Sequence, residues 1–116
     1  MVDLKDRTLD FAVDVRKFAR SIKMDRLNQD DIAQLIRASG SVGANFGEAI
    51  ESISKRDFIY RLKICLKEAR ESRYWLIVIE KTNSALSGEQ LSLLIQESKE
   101  LIMIFSSIIQ KHKRNK

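Results

Sequence analysis

Apolar side chains recur at helical spacing in four segments of the chain. In the first segment, Leu4, Phe11, Val15, Phe18 and Ile22 follow one another at intervals of seven, four, three and four residues, so they share one face of a helix. Similar stripes in three later segments predict four helices, at about residues 3–22, 29–53, 55–82 and 88–110. Four stripes joined by short loops are buried most simply in an up-and-down antiparallel four-helix bundle, so we predict an all-α fold.

Polar residues at the segment boundaries predict where three of these helices begin. Asn28 is placed to cap the second helix, which we then expect to start near Gln29. Ser54 opens the sequence SKRD and Ser87 opens SGEQ, and in both a hydroxyl precedes a carboxylate or amide by three residues. Because this spacing is typical of the capping box, it predicts a helix start at each serine.

Composition agrees with a helical bundle and locates the excess charge. The 116 residues suffice for one domain with a single core, and proline is absent while glycine occurs four times. We predict one domain over residues 1–110 and a basic C-terminal tail over 111–116. The net charge is +5 at pH 7, and +1 remains without the four basic residues of that tail, Lys111, Lys113, Arg114 and Lys116. A local excess of this kind favours an anionic partner.

Several functional classes find little support in the sequence. Apolar runs such as residues 75–79 are too short to span a bilayer, and the N-terminus does not resemble a signal peptide, so we expect a cytoplasmic protein with no membrane partner. Cys65 lies within an apolar stripe and is expected in the core. Ser39 and Ser41 have no histidine nearby in sequence, and His112 is the single histidine. We therefore expect no enzyme, no cofactor and no metal site.

The sequence RASGSVGANFGEA, residues 37–49, contains three of the four glycines. It lacks the Gly-Lys-Ser/Thr ending of a phosphate-binding loop. An apolar helical stripe also continues through it, which predicts helix rather than loop, and its members are Ile32, Leu35, Val42, Phe46 and Ile50. Gly40, Gly43 and Gly47 then lie on an adjacent face with little side-chain bulk.

Two interpretations of the glycine face stay open at the sequence level. It can pack closely against another helix of the same bundle, or it can form a subunit interface or ligand groove in which Arg37 and Glu48 pair with charges of a neighbouring helix. A polar line borders it, made of Arg37, Ser41, Asn45 and Glu48. Glu68, Glu71 and Trp75 share one flank of the third helix. We expect the two carboxylates to pair with Arg37 or another arginine at a helix or subunit boundary, because they lack the histidines of a di-metal centre.

Two motifs in the chain resemble a known family. IRASGSVGANFGEA and SKRDFIYRLKICLKEARESRYWL resemble the four-helix-bundle proteins encoded in bacterial 23S ribosomal RNA intervening sequences and their chromosomal relatives. The family's motif positions fall on Arg37, Ser39, Ser41, Ala44, Asn45, Glu48, Lys67, Glu68, Glu71 and Trp75. Ala38 and Ala49 depart from the pattern, because the family more often has serine and glycine there.

The resemblance implies a bundle that assembles into a homopentameric ring. Under that implication, the assembly surface includes the polar line with Gly43 and Gly47, together with the Glu68, Glu71 and Trp75 flank. A related group of proteins from diversity-generating retroelements has a basic surface that engages nucleic acid. By analogy, the resemblance implies an RNA or DNA partner here.

The third helix carries the candidate nucleic-acid surface. On a helical wheel, five cations fall within about 60° of one another with Tyr74 among them: Arg56, Lys63, Lys67, Arg70 and Lys81. With Lys111, Lys113 and Arg114 of the tail, such a line can follow a phosphate backbone, although an ordinary solvated helix face has the same pattern. The leading hypothesis is a non-enzymatic homo-oligomeric bundle that binds RNA. The alternative is a structural or protein-partner module without nucleic-acid binding.

Overall fold

Four helices make up the computed structural model, which describes residues 3–83 and 88–114. They are α1 (Leu4–Ser21), α2 (Arg26–Ile50), α3 (Lys55–Thr82) and α4 (Glu89–Arg114). The apolar stripes of all four meet along one axis of an elongated body of 49 × 22 × 19 Å. The predicted all-α four-helix bundle is confirmed.

Contacts between helix ends show that neighbouring helices run antiparallel. Asn28, in the first turn of α2, hydrogen-bonds to Asn83 just beyond the end of α3. Phe58, in the first turn of α3, lies with its ring centroid 5.2 Å from that of His112 near the end of α4. The α2–α3 pair forms the most extensive interface and the α1–α4 pair the least. This is the up-and-down arrangement, because each helix packs against the next along the chain.

The helix starts agree with the sequence at α3 but not at α2. Ser54 caps α3, and its Oγ accepts a hydrogen bond from the Asp57 N–H at 3.1 Å, as predicted. The prediction that Asn28 caps α2 is wrong: Asp25 is the cap, and its carboxylate accepts from the Asn28 N–H at 2.8 Å. Asn28 is instead a buried residue of the first turn, where its side-chain amide hydrogen-bonds to that of Asn83. Ser87, the predicted cap of α4, lies outside the described residues.

Two helix ends also differ from the prediction. Helix α2 stops at Ile50 rather than near residue 53, so Ile50 is half exposed and Ala49 takes the buried position instead. Helix α4 continues to Arg114 rather than ending at 110. Its last turns are held because the His112 ring packs on Phe58 and the His112 Nδ1 lies 2.9 Å from the Ile108 carbonyl oxygen.

The core is built from apolar residues of all four helices, and its largest fully buried members include Phe11, Leu35, Leu62, Leu76 and Phe105. The thiol of Cys65 is buried among them and donates to the Val42 carbonyl oxygen at 3.5 Å. Burial raises the pKa of Cys65 to about 12, since a thiolate would be poorly solvated there. The prediction that Cys65 is a core residue is confirmed.

The three helical glycines have different surroundings. None of the described residues has a positive φ, so the glycines of α2 are not required by backbone conformation. A Cβ added to Gly43 would lie 3.2 Å from the Thr8 Oγ1 and 3.5 Å from its backbone, because α1 crosses α2 closely here. A Cβ on Gly40 would meet only the end of the Arg16 side chain, and one on Gly47 would meet nothing within 4 Å. Packing inside the bundle therefore accounts for Gly43 but not for Gly47.

An arginine clamp that the sequence analysis missed joins α1 to α4. The Arg7 guanidinium donates to both carboxylate oxygens of Glu97 at 2.7 Å and to Glu100 at 2.6 Å. The pKa of Glu100 lies below its usual range, because Gln96 and then Arg7 donate hydrogen bonds to its carboxylate. Since α1 and α4 share the smallest interface of the bundle, this clamp is a principal tie between them.

We predict that Gly43→Leu destabilises the folded protein while Gly47→Ala does not. The leucine would overlap the buried Thr8 and the α1 backbone, and overpacking of this kind typically removes about 1–3 kcal/mol. The alanine at 47 points into open space and gains about 1 kcal/mol of helix propensity. Urea unfolding of both variants at a concentration at which they are monomeric measures the stability of the protomer alone. Equal losses of unfolding free energy would contradict this account of Gly43.

Candidate nucleic-acid interface

The outer face of α3 carries a line of exposed cations. Because Leu62, Ala69 and Leu76 are fully buried, the opposite side of the helix is turned to solvent. All five predicted cations are exposed there, and we call them the cationic face: Arg56, Lys63, Lys67, Arg70 and Lys81. None of them forms an ion pair within residues 3–83 and 88–113. Their charges are therefore available to an external anion.

Two of the four acidic residues of α3 form ion pairs with α2. Glu68 and Glu71 lie toward α2, where Arg37 binds them both. The Arg37 Nη1 lies 3.1 Å from the Glu68 Oε2, and the Arg37 Nη2 donates to Glu71. Glu68 is nearly buried, so the guanidinium offsets a carboxylate that has lost most of its water. The predicted pairing of these carboxylates with Arg37 is confirmed as a contact within one protomer.

The end of α4 lies beside one end of the cationic face. The face spans about 37 Å from Arg56 to Lys81 at 1.5 Å per helical residue. The contact between Phe58 and His112 brings the C-terminal turns of α4 to the Arg56 end. Lys111 and Lys113 are exposed on those turns, and Arg114 is the last helical residue. Lys111 and Lys113 of the predicted tail thus lie at the same end of the bundle as Arg56.

A groove between α3 and α4 brings in Arg73, a cation that the sequence pattern did not predict as part of the site. Tyr74, which is 60% exposed, lines this groove with Arg70 and Lys81 of the cationic face. Arg73 lines it too, although it lies about 60° to the α4 side of Arg70 on the helix. The sequence pattern could not assign Arg73 to the site, because Arg73 lies outside the line of cations on the helical wheel. Only the path of α4 determines which flank of α3 borders the groove.

Polar contacts tie α2 to α3 at three levels, and we call this line the α2–α3 seam. The Asn28 and Asn83 amides exchange two hydrogen bonds of 2.9 Å at one end. Arg37 binds the two glutamates of α3 in the middle. Near the other end, the Arg61 Nη1 donates to the Asn45 Oδ1 at 3.3 Å, and the Asn45 amide donates to the Ser41 carbonyl oxygen at 2.8 Å.

The remaining members of the predicted assembly surface lie apart from the seam contacts. Gly47 and Glu48 are on the outer side of α2, and Glu48 is exposed with no ion pair among the described residues. Trp75 is half-buried and packs against the core. Its indole N–H is buried without an acceptor among the described residues. We therefore infer that Trp75 packs α3 against the core rather than lying on an open surface.

The described residues contain neither a cluster of metal-binding side chains nor a helix of membrane-spanning character. In residues 3–83 and 88–113, no three side chains of the types that bind metals come together. In that same part of the chain, no helix has the apolar length needed to cross a membrane.

Comparison with known proteins decides the family. The model of the 23S rRNA-intervening sequence protein family matches residues 2–107. The chain belongs to this family. Four chains of solved structures match it, among them a protein of unknown function from the S23 ribosomal protein family of Bacteroides thetaiotaomicron. That structure is 33% identical, covers 92% of this chain and 98% of its own, and superposes with a TM-score of 0.79. No curated protein matches the chain significantly.

Membership of the 23S rRNA-intervening sequence family confirms the resemblance stated from the two motifs. The matched range contains the whole cationic face and the α2–α3 seam. It stops before Lys111, so the end of α4 lies outside it.

We predict that Arg37→Met destabilises the protein by about 1–2 kcal/mol, because it leaves the Glu68 carboxylate without its cation. The loss is smaller than for a fully buried pair, since the Arg37 side chain is 47% exposed. Adding Glu68→Gln to this variant removes the unpaired charge and should recover part of the loss. A double-mutant cycle by urea unfolding tests this, and additive losses from the two substitutions would contradict it.

Proposed function

We propose that this protein is a non-enzymatic, homo-oligomeric helical bundle that binds RNA through the cationic face of α3 and the end of α4. The observation that supports this most directly is the cationic face itself. Five exposed cations follow one helix without a carboxylate partner among the described residues. Each contact of such a line with a phosphate adds a salt-dependent, sequence-independent increment of affinity.

The distribution of acidic residues on α3 also supports this proposal. A solvated helix face commonly intersperses charges of both signs, as i, i+4 pairs do. Here Glu68 and Glu71 are paired with Arg37 of α2, while Asp57 and Glu80 lie exposed toward the two ends of α3. The end of α4 adds the exposed cations Lys111 and Lys113. A phosphate backbone along the middle of the cationic face, from Lys63 to Arg70, would therefore meet little repulsion.

The proposed assembly is a homopentamer, which the family resemblance implies, through the outer side of α2. Exposed Ala33 and Ala44 leave this side with little bulk, and a Cβ on Gly47 would meet open space. Glycine at an exposed helix position lowers helix stability by about 1 kcal/mol relative to alanine. Its presence at 47 therefore supports a close neighbour outside the protomer. In a ring, five cationic faces would act on one polyanion and raise its affinity without any new contact.

A second candidate function is a protein-partner module. A groove of about 670 Å³ between α1 and α4 is lined by Phe11, Leu93 and Leu94, with Asp10 and Asp14 at its edge. Its apolar floor and acidic edge would suit a basic amphipathic segment. Recovery of a stoichiometric protein partner that survives nuclease treatment would favour this function over nucleic-acid binding.

We predict that the triple variant Lys63→Gln, Lys67→Gln, Arg70→Gln binds RNA more weakly and with a smaller salt dependence. Loss of three phosphate contacts would reduce the slope of log K against log salt by about 2. Electrophoretic mobility shifts and fluorescence anisotropy over a salt series measure this, using protein freed of co-purified nucleic acid.

The matched control for that variant is Lys5→Gln, Lys17→Gln, Lys23→Gln, which removes the same charge from exposed positions on α1 and the α1–α2 connection. The control should keep the salt slope of the natural protein. Equal losses in both triple variants would show that net charge alone drives binding. Absence of any salt-sensitive binding at low ionic strength would overturn the proposed function.

We predict that Gly47→Leu disrupts assembly while the protomer stays folded, because the side chain enters open space in the protomer but would fill a neighbour's position in the ring. Sedimentation equilibrium should give a pentamer for the natural protein and a smaller species for the variant. Far-ultraviolet circular dichroism should show unchanged helix content. A natural protein that is monomeric at micromolar concentration would overturn the assembly proposal.

A further inference from the structure

The groove between α3 and α4 combines an apolar floor with a cationic edge. Its volume is about 350 Å³, which lies within the range of small-molecule sites. Its apolar lining comes from Ile77, Val78 and Ile102, and Tyr74 contributes an aromatic ring. Arg70 and Lys81 border it about 16 Å apart along α3, one turn before Tyr74 and two turns after it. A ligand for this groove would therefore be apolar in the middle and anionic at both ends.

The Tyr74 ring is supported and accessible at the same time. Its centroid lies 5.1 Å from that of the Trp75 ring, and the two planes cross at 84°. An edge-to-face contact of this kind uses at most one face of the Tyr74 ring. Trp75 is anchored in turn against the core, so Tyr74 is positioned by a rigid neighbour. Its 60% exposure leaves aromatic surface for a stacking partner.

Nucleic acid supplies that combination only where a base is unpaired. Inside a duplex the base faces are already stacked on one another, whereas an unpaired base can stack on an aromatic side chain. Phosphates on either side of such a base would meet the cations at the two ends of the groove. The half-buried Arg73 adds a third cation, with no ion pair among the described residues.

We propose that this groove binds an unpaired nucleobase of single-stranded nucleic acid, stacked on Tyr74, with phosphates of the flanking nucleotides on Arg70 and Lys81. This rests on the proposed nucleic-acid function and gives it a substrate class. The cationic face alone would hold single strands and duplexes alike. The groove gives single strands an additional contact that a duplex cannot make.

The test compares two tyrosines of α3 that are both 60% exposed. Tyr74→Leu keeps an apolar side chain in the groove but removes the stacking face, and Tyr74→Phe keeps the ring. Tyr60→Leu is the matched control, because Tyr60 lies beside Glu48, Glu51 and Asp57 at the opposite end of the helix. Each variant is titrated with single-stranded RNA, single-stranded DNA and an RNA duplex of equal length. Circular dichroism confirms that each is folded.

We expect Tyr74→Leu to weaken single-strand binding by about 5- to 150-fold, the range for loss of one stacked base. Duplex binding should not change, and Tyr74→Phe and Tyr60→Leu should bind as the natural protein does. The emission of Trp75, the single tryptophan, should respond to single strands because its ring touches Tyr74. If Tyr74→Leu weakens the binding of single-stranded RNA alone, the site depends on the ribose. If it weakens the binding of RNA and DNA equally, the site accepts either sugar. Both results support the proposal.

Two results would overturn the groove while leaving the proposed function in place. One is unchanged single-strand affinity in Tyr74→Leu when the triple variant of the cationic face still loses binding. The other is an equal loss of single-strand and duplex affinity in Tyr74→Leu. A natural protein that binds none of the three nucleic acids would overturn the proposed function itself, and the groove proposal with it.

Discussion

The register between α2 and α3 is the constraint on which the rest of the structure depends. Arg37 must reach Glu68, since an almost buried carboxylate without a cation would destabilise the fold. A slip of one residue would turn Arg37 by about 100° and break that contact. The asparagine pair of Asn28 and Asn83 excludes the same slip at one end of the seam. With this register fixed, the cations of α3 lie on its outer side, opposite the buried Leu62, Ala69 and Leu76.

Different parts of the bundle are held together in different ways, by close backbone packing in one place and by ion pairs in another. Where α1 crosses α2, Gly43 removes the bulk that would separate them from Thr8. Where α1 meets α4, side chains leave a groove and the helices are joined by Arg7. A bundle with one tight side and one open side presents different chemistry around its circumference. Its surface therefore divides into a small-residue side, an acidic groove and a cationic face.

Local spacing explains why the helices and most of the core could be predicted. An apolar residue such as Leu62 or Phe105 is placed on the inner face by its neighbours three and four positions away. Side-chain pairing across the chain could not be predicted in the same way. Asn28 was predicted as a cap because asparagine often caps helices. Its actual partner, Asn83, is 55 residues away in the chain, so the sequence pattern could not indicate it. Arg7 gave no signal because its glutamates are 90 and 93 residues away.

The continuation of α4 beyond residue 110 changes the energetics of any contact made by its final residues. A disordered basic tail would lose conformational entropy when it bound a polyanion, and that loss would reduce the affinity. The backbone of Lys111 and Lys113 is already ordered by the helix, which His112 fastens to Phe58. Only side-chain freedom remains to be restricted at these two positions. The terminal turn thus acts as a preorganised extension of the bundle rather than a flexible appendage.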